Sequence, residues 1–266
     1  LEIEVLDKYM DAGGRLVVLM DPWRSITPGY GDGEQLRPWL EKKFGIIVGS
    51  DIVVTDQSSN IWQAELRPDD KPFEAVDENF MRFRGSFSKE SVITQNFDEP
   101  MLVQAARSVR VDKFPEGVVG GVLLRTTPDF WGETDTEKLL KAGQAKLDDV
   151  DLKGPVPLAE AVVRPVNKEN SPKGRGDARI VVVGDSDFLN NGQISVPGHL
   201  NFFLNTMAWM TESEDLIALR PTNRETAPLI LSESQNHLLS WVSTMLLPQL
   251  VILVGIGVWL TRRKYQ

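Results

Sequence analysis

The chain has 266 residues, a formal net charge of −9, a hydrophobic fraction of 41% and no cysteine. The missing cysteines exclude disulfides, cysteine-based zinc sites and a thiol nucleophile. The acidic balance argues against nucleic acid as a partner and against adsorption to anionic lipid. The length suits one large domain or two small ones, with enough apolar residues for a core.

Residues 2–12 place Ile3, Leu6, Tyr9 and Met10 at helical spacing, and Gly13-Gly14 then stop the helix. The run RLVVL leading into Asp21-Pro22 reads as a buried parallel strand ending in a turn. Pro38 to Phe44 suits a helix that leads to a strand over Ile46–Val54. Residues 57–90 are polar, with several Pro, Asp and Asn, and read as an irregular insertion. Val103–Val109 suits a short helix or strand, and Val118–Arg125 is a further apolar strand. A loop with Phe130 and Trp131 follows, then the charged stretch 133–155. Val156–Val163 is strand-like, NKENSPKGRG (167–176) is a solvated turn, and RIVVVG (179–184) is the strongest strand pattern in the chain. LNFFLNTMAWM (200–210) reads as an apolar helix, followed by Leu216–Leu219. Strands alternating with helices predict an α/β fold with a mostly parallel sheet covered by helices on both faces. There is no internal repeat and no low-complexity tract.

From Leu238 to Leu260 runs LLSWVSTMLLPQLVILVGIGVWL, which has no charged side chain. That length spans a hydrocarbon core of ~30 Å at ~1.5 Å per helical residue. Trp241 and Trp259 stand near its ends, where indole rings favour the headgroup layers. Pro248 inside the run is tolerated in a membrane helix when neighbours satisfy the freed carbonyl. Arg262, Arg263 and Lys264 follow at once and predict a cytoplasmic C-terminus. The resulting division is an extracytoplasmic α/β domain over 1–220, a linker over 221–237, a transmembrane helix over 238–260 and a basic tail over 261–266. The chain opens without Met or an apolar targeting segment, which reads as the C-terminal part of something longer.

Asp21, Asp185 and Asp187 lie where apolar strands end, the edge at which ligands gather in open α/β folds. Carboxylates there suit a divalent cation, but capping a turn or a helix N-terminus is the commoner role for each. Gly184-Asp185-Ser186 invites a serine-hydrolase reading, for which His199 is the credible base because His237 abuts the apolar run. No Asp-x-x-His element follows it. Two histidines so far apart do not make a zinc site, and Gly29–Gly33 lacks the lysine and hydroxyl of a phosphate-binding loop. Trp131 and Phe130, beside Thr126 and Thr127, are a candidate stacking platform, and Asn190, Asn191 and Asn201 are candidate amide donors to a sugar or peptide; packing and turn formation are the commoner roles. Asp21, Asp185, Asp187, Asn190, Asn201 and Trp131 are therefore candidate ligand-binding residues. No catalytic residue, metal or cofactor is assigned.

LDKYMDAGGRLVVLMDP, FWGETD followed by DLKGPVPLAEAVV, and RIVVVGDSDFLNN with GHLNFFLNTMAWMTESEDLIALRP together resemble the auxiliary component of gliding-motility-type ABC transporters (GldG-like), in its C-terminal portion. The resemblance implies a subunit without catalytic activity that accompanies an ABC-2-type permease and a separate ATPase in the bacterial inner membrane. It also implies a soluble domain similar to amidotransferase-like or flavodoxin-like α/β folds, without the catalytic cysteine. The expected function is thus a membrane-anchored auxiliary subunit that braces or guides a substrate or partner. The alternatives are a membrane-tethered hydrolase using Ser186 or the Asp185/Asp187 pair, and a stand-alone glycan- or peptide-binding module.

Overall fold

A computed structural model describes residues 2–22, 35–55, 63–66, 81–83, 86–97, 99, 101–142, 145–166, 176–212, 241–246, 248–249, 255–256, 258–259 and 262–263. The chain divides into two compact units, Leu1–Lys71 with Asn79–Glu225, and Pro72–Glu78 with Thr226–Gln266.

The first unit begins with helix α1 (Glu2–Asp11), which ends where Gly13 takes a φ of 79°, a left-handed position that suits glycine. Strand β1 (Arg15–Leu19) follows, then α2 (Leu36–Phe44), β2 (Ile46–Val48) and β3 (Ile52–Val54). The chain continues through β4 (Gln63–Leu66), β5 (Met81–Phe83), β6 (Ser86–Phe87), β7 (Met101–Gln104) and β8 (Val109–Val111). Then come β9 (Val119–Arg125), β10 (Trp131–Glu133), α3 (Thr136–Ala142) and β11 (Leu152–Lys153). The last elements are β12 (Pro157–Arg164), β13 (Ala178–Val183), a 3-10 turn (Asp187–Leu189) and α4 (Pro197–Met210).

A five-stranded sheet in the order β1-β13-β12-β9-β6 organises this unit. β13 has large apolar side chains on both faces. Val181 and Val183 enter a core with Phe188, Phe202, Trp209 and Leu123 beneath α4. Ile180 and Val182 enter another with Met10, Leu40, Phe44 and Val162 beneath α1 and α2. A strand covered twice in this way needs a continuous apolar run rather than an alternating one, which is why RIVVV is so conspicuous.

The α/β class holds, with helices on both faces, but the sheet is only partly parallel. β1 pairs with β13 in parallel, from Arg15 opposite Arg179 to Leu19 opposite Val183. β12 is antiparallel to both β13 and β9, and β6 is antiparallel to β9. An apolar run reports burial on two faces and carries no mark of direction, so the expectation of a mostly parallel sheet overreached.

The expected strand over Ile46–Val54 is two strands, β2 against β8 and β3 against β10, divided around Gly49, Ser50 and Asp51. Within 57–90, which reads from sequence as irregular, β4 runs parallel to β5 and antiparallel to β7. The charged stretch 133–155 contains α3 and β11. The helix expected over 200–210 starts earlier, with Pro197 in its first turn, a position where a missing N–H costs nothing. The expected turn over 167–176, apart from Gly176, and the segment Leu216–Leu219 lie outside the described residues.

In the second unit a π-helical turn spans Val242–Leu246. Trp241, Met245, Ile256 and Trp259 are exposed, each about half or more. Pro248 is exposed and helical, Arg262 is helical, and Arg263 stands over the Trp259 ring at 5.2 Å from its centroid. Among the described residues no helix is long and apolar enough to cross a membrane. Residues 238–240, 247, 250–254, 257 and 260 of the expected span, and Lys264, lie outside them.

Burial predicts different costs for two substitutions. Phe202 is 1% exposed, so Phe202→Ala should destabilise by about 3–5 kcal/mol. Val119 on the outer part of β9 is 60% exposed, so Val119→Thr should stay within about 0.5 kcal/mol. Urea unfolding of the two variants checks both values.

Candidate functional site at the ends of strands β1 and β13

Parallel pairing brings the C-terminal ends of β1 and β13 to one edge, so the turns that follow them meet there. Asp21 follows β1, and Gly184-Asp185-Ser186 follows β13. The Asp21 carboxylate accepts two hydrogen bonds from Ser186, one from the backbone N–H to Oδ1 and one from the hydroxyl to Oδ2, each 2.5 Å. Asp185 is 1% exposed, and its Oδ1 accepts the Asp187 N–H at 2.9 Å. Both aspartates thus act on the backbone of this turn. Burial pushes the Asp187 carboxyl above the usual range, the nearby Asp21 charge adds to that, and a hydrogen bond from Asn190 opposes it.

Beneath this rim lies Arg107, 1% exposed, between β7 and β8. Its backbone N–H donates to the Gly184 carbonyl at 2.8 Å, and its guanidinium reaches the Asp21 carbonyl at 3.5 Å. The same guanidinium acts on Asp51, which is 4% exposed. Burial pushes the Asp51 carboxyl up, while the Ser108 hydroxyl (2.7 Å from Oδ1) and the Arg107 charge favour its ionised form. Asp51 fits only because Gly49 and Gly132 lack side chains: a Cβ on either would come within 2.0 Å of its carboxylate oxygens. Asp51 Oδ2 has no hydrogen-bond partner among the described residues.

A second buried acid lies deeper. Glu160 on β12 is 2% exposed, opposite Val182 of β13 and Val122 of β9, where the β12–β9 register is irregular. Its Oε2 lacks a hydrogen-bond partner among the described residues. Burial pushes its carboxyl up to about 8, against the favourable charge of Arg125.

The remaining candidates are each engaged with other groups. Trp131 is 5% exposed; it belongs to a small core with Ile52, Val54 and Leu139, and its indole N–H donates to Glu133 at 3.2 Å. Asn190 is exposed, and its Oδ1 accepts the backbone N–H groups of Gly192 and Gln193, each at 2.9 Å. Asn201 donates to Glu99. His199 is fully buried, with Nδ1 2.8 Å from the Gln193 carbonyl and its ring edge-on to Phe188. Ser186 spends its hydroxyl proton on Asp21, whereas a nucleophilic serine gives it to a base that can pass it on. Among the described residues no group of three or more acidic or histidine side chains is arranged to hold a metal.

Residue-type reasoning passed over Arg107, Asp51 and Glu160. A signal was present for two of them: Arg107 and Glu160 are lone charges inside apolar stretches, MLVQAARSV and PLAEAVV.

The model of the auxiliary family described as the ABC-type uncharacterized transport system matches residues 1–218. The chain belongs to that family. Membership places it with ABC transport and implies partner components of a transport system. No curated protein matches it. Among solved structures, the mmIFT52 N-terminal domain aligns with 79% of this chain and 70% of its own at 14% identity, with a TM-score of 0.45. A ThuA-like protein from Bacteroides uniformis aligns with 79% of this chain and 63% of its own at 15% identity, with a TM-score of 0.34.

Two predictions follow from the carboxylates of this family member. Ser186→Ala removes one hydrogen bond to Asp21 and should cost about 1 kcal/mol, whereas Asp21→Ala strips the acceptor from two donors and should cost about 2–3 kcal/mol; equilibrium unfolding ranks them. Glu160 has its folded-state pKa raised from 4.5 to about 8. Between those values the folded state holds a proton that the unfolded state has released, so stability is fullest below 4.5 and falls as pH rises through 8. Denaturation midpoints at pH 5, 7 and 9 should decline for the parent protein and decline less for Glu160→Gln.

Proposed function

We propose that the chain is a membrane-anchored, non-catalytic auxiliary subunit of an ABC-2-type transporter of the gliding-motility (GldG-like) type. Its α/β domain stands on the extracytoplasmic side of the bacterial inner membrane and braces or guides a substrate or a partner subunit, while a separate ATPase supplies the energy. The observation that carries this reading is a succession along the chain. A transport-auxiliary family match through residue 218 is followed by a run without charge over 238–260 and then by Arg262, Arg263 and Lys264. Under this reading the chain divides into a domain over 1–220, a linker over 221–237, a span over 238–260 and a basic tail. Trp241 and Trp259 anchor the two interfaces, and Pro248 marks a kink or a contact with another spanning helix.

The rim chemistry supports a non-catalytic role. The carboxylates nearest the strand ends are engaged with the turn itself, Asp21 with Ser186 and Asp185 with Asp187. Asp187 is the rim carboxyl best placed to meet a ligand; Asn190 clamps its own turn, Asn201 donates to Glu99 and Trp131 sits in a small core.

The test is purification of tagged full-length protein from detergent-solubilised membranes. An identified permease and an identified ATPase of one transport system should both co-elute; loss of both from the eluate overturns the reading. The anchor is checked separately. Leu250→Arg puts a charge near the centre of the run, at a cost of about 2.5–3.5 kcal/mol to insertion. It should move protein from the membrane pellet to the alkaline-carbonate supernatant, and unchanged retention would refute a span over 238–260.

A further inference from the structure

Asn191 and Gly192 are adjacent and exposed in the turn between the 3-10 element and α4. An asparagine followed by glycine carries a reaction of its own. The backbone nitrogen of the following residue attacks the side-chain amide carbon, a C–N bond closes a succinimide ring, and the amide C–N bond breaks to release ammonia. Water then opens the ring to aspartate or isoaspartate. Glycine favours the attack because it has no side chain to shield the nitrogen. Here a Cβ built at Gly192 would meet, among the described residues, only Asn190 Oδ1 within 4 Å, at 3.3 Å.

The nitrogen attacks only after losing its proton, and in this fold that proton is held. The Gly192 N–H donates to Asn190 Oδ1 at 2.9 Å, and the same oxygen accepts the Gln193 N–H at 2.9 Å. The Asn190 amide also lies beside the Asp187 carboxyl and favours its ionised form. Its backbone N–H donates to the Asp187 carbonyl at 3.0 Å, and its carbonyl accepts the Ile194 N–H at 2.9 Å. The residue beside the reactive pair therefore restrains the nucleophile.

We infer that Asn191–Gly192 is a site of spontaneous deamidation and that the Asn190 side chain sets its rate in the folded protein. The product places a new carboxylate next to the rim that already carries Asp21, Asp185 and Asp187, and the isoaspartate form also lengthens the main chain there. Asn190 is a positioning residue in this process. The inference is independent of the transport reading.

The full chain in detergent is incubated at mildly alkaline pH, and peptide mass spectrometry follows aspartate and isoaspartate at position 191. Asn190→Ala should convert about fivefold faster than the parent, the factor that loss of one ordinary hydrogen bond is worth. Asn190→Asp keeps an acceptor oxygen but loses the amide beside Asp187, so it should convert more slowly than Asn190→Ala, and Gly192→Ala should suppress conversion in every background. In strong denaturant the parent and Asn190→Ala should convert at the same rate, which separates restraint by the fold from local sequence effects. Equal rates for these two in the folded state overturn the proposal, as do a difference that persists in denaturant and conversion confined to other asparagines.

Discussion

The parallel pairing of β1 with β13 is the constraint on which the rest of the described domain depends. Because the two strands run the same way, their C-terminal ends share an edge and the turns after them are brought together. Residues 165 positions apart, Asp21 and Ser186, then meet in two hydrogen bonds. Were the pair antiparallel, Asp21 would lie beside the start of β13, and the turn carrying Asp185 and Asp187 would be at the far end of the sheet. The pair is held by burial on both faces, with α4 over one and α1 and α2 over the other.

A second constraint is the buried polar cluster under that edge. Arg107 ties the β7–β8 connection to the β13 turn through the Gly184 carbonyl, and its charge favours the ionised form of Asp51 only slightly against the burial that pushes the carboxyl up. Burying a carboxylate is costly unless it is hydrogen-bonded, and Ser108 supplies that bond to Asp51. The glycines at 49 and 132 let backbone close on the Asp51 carboxylate, which excludes water and deepens its desolvation. This cluster braces the segments that meet at the rim, so the rim's shape rests on residues that never reach the surface. Glu160 has no such compensation beyond Arg125, and that makes it the titrating weak point of the central sheet.

Much of the architecture was legible in the residues. RIVVV announced a strand buried on both faces and RLVVL a strand that proves only half-buried at the sheet edge, Gly13-Gly14 announced the end of α1, and the apolar run 200–210 announced α4. The order of strands and helices gave the α/β class. The direction of β12, β9 and β6 was not legible, because period and apolarity are the same for a strand read either way. The break between β2 and β3 was hidden for a related reason: IIVGSDIVV looks continuous until Asp51 is seen turned inward to Ser108. At the candidate site, the positions of Asp21, Asp185 and Asp187 at strand ends were foreseen. Their engagement with Ser186 and with their own turn was not, since hydrogen-bond partners distant in sequence leave no local trace.

The chain by itself determined α1, α2, α4 and the apolar strands β1, β9, β12 and β13, its lack of cysteine chemistry, its acidic balance, and the long uncharged run near its C-terminus, because each follows from which side chains stand at which spacing. Only the tertiary structure decided which strand ends share an edge, that Trp131 is a core residue and Asn190 a turn clamp, and that Arg107, Asp51 and Glu160 are buried. Those outcomes depend on which distant segments pack together and shut out water, and a linear order of residues does not encode that term by term.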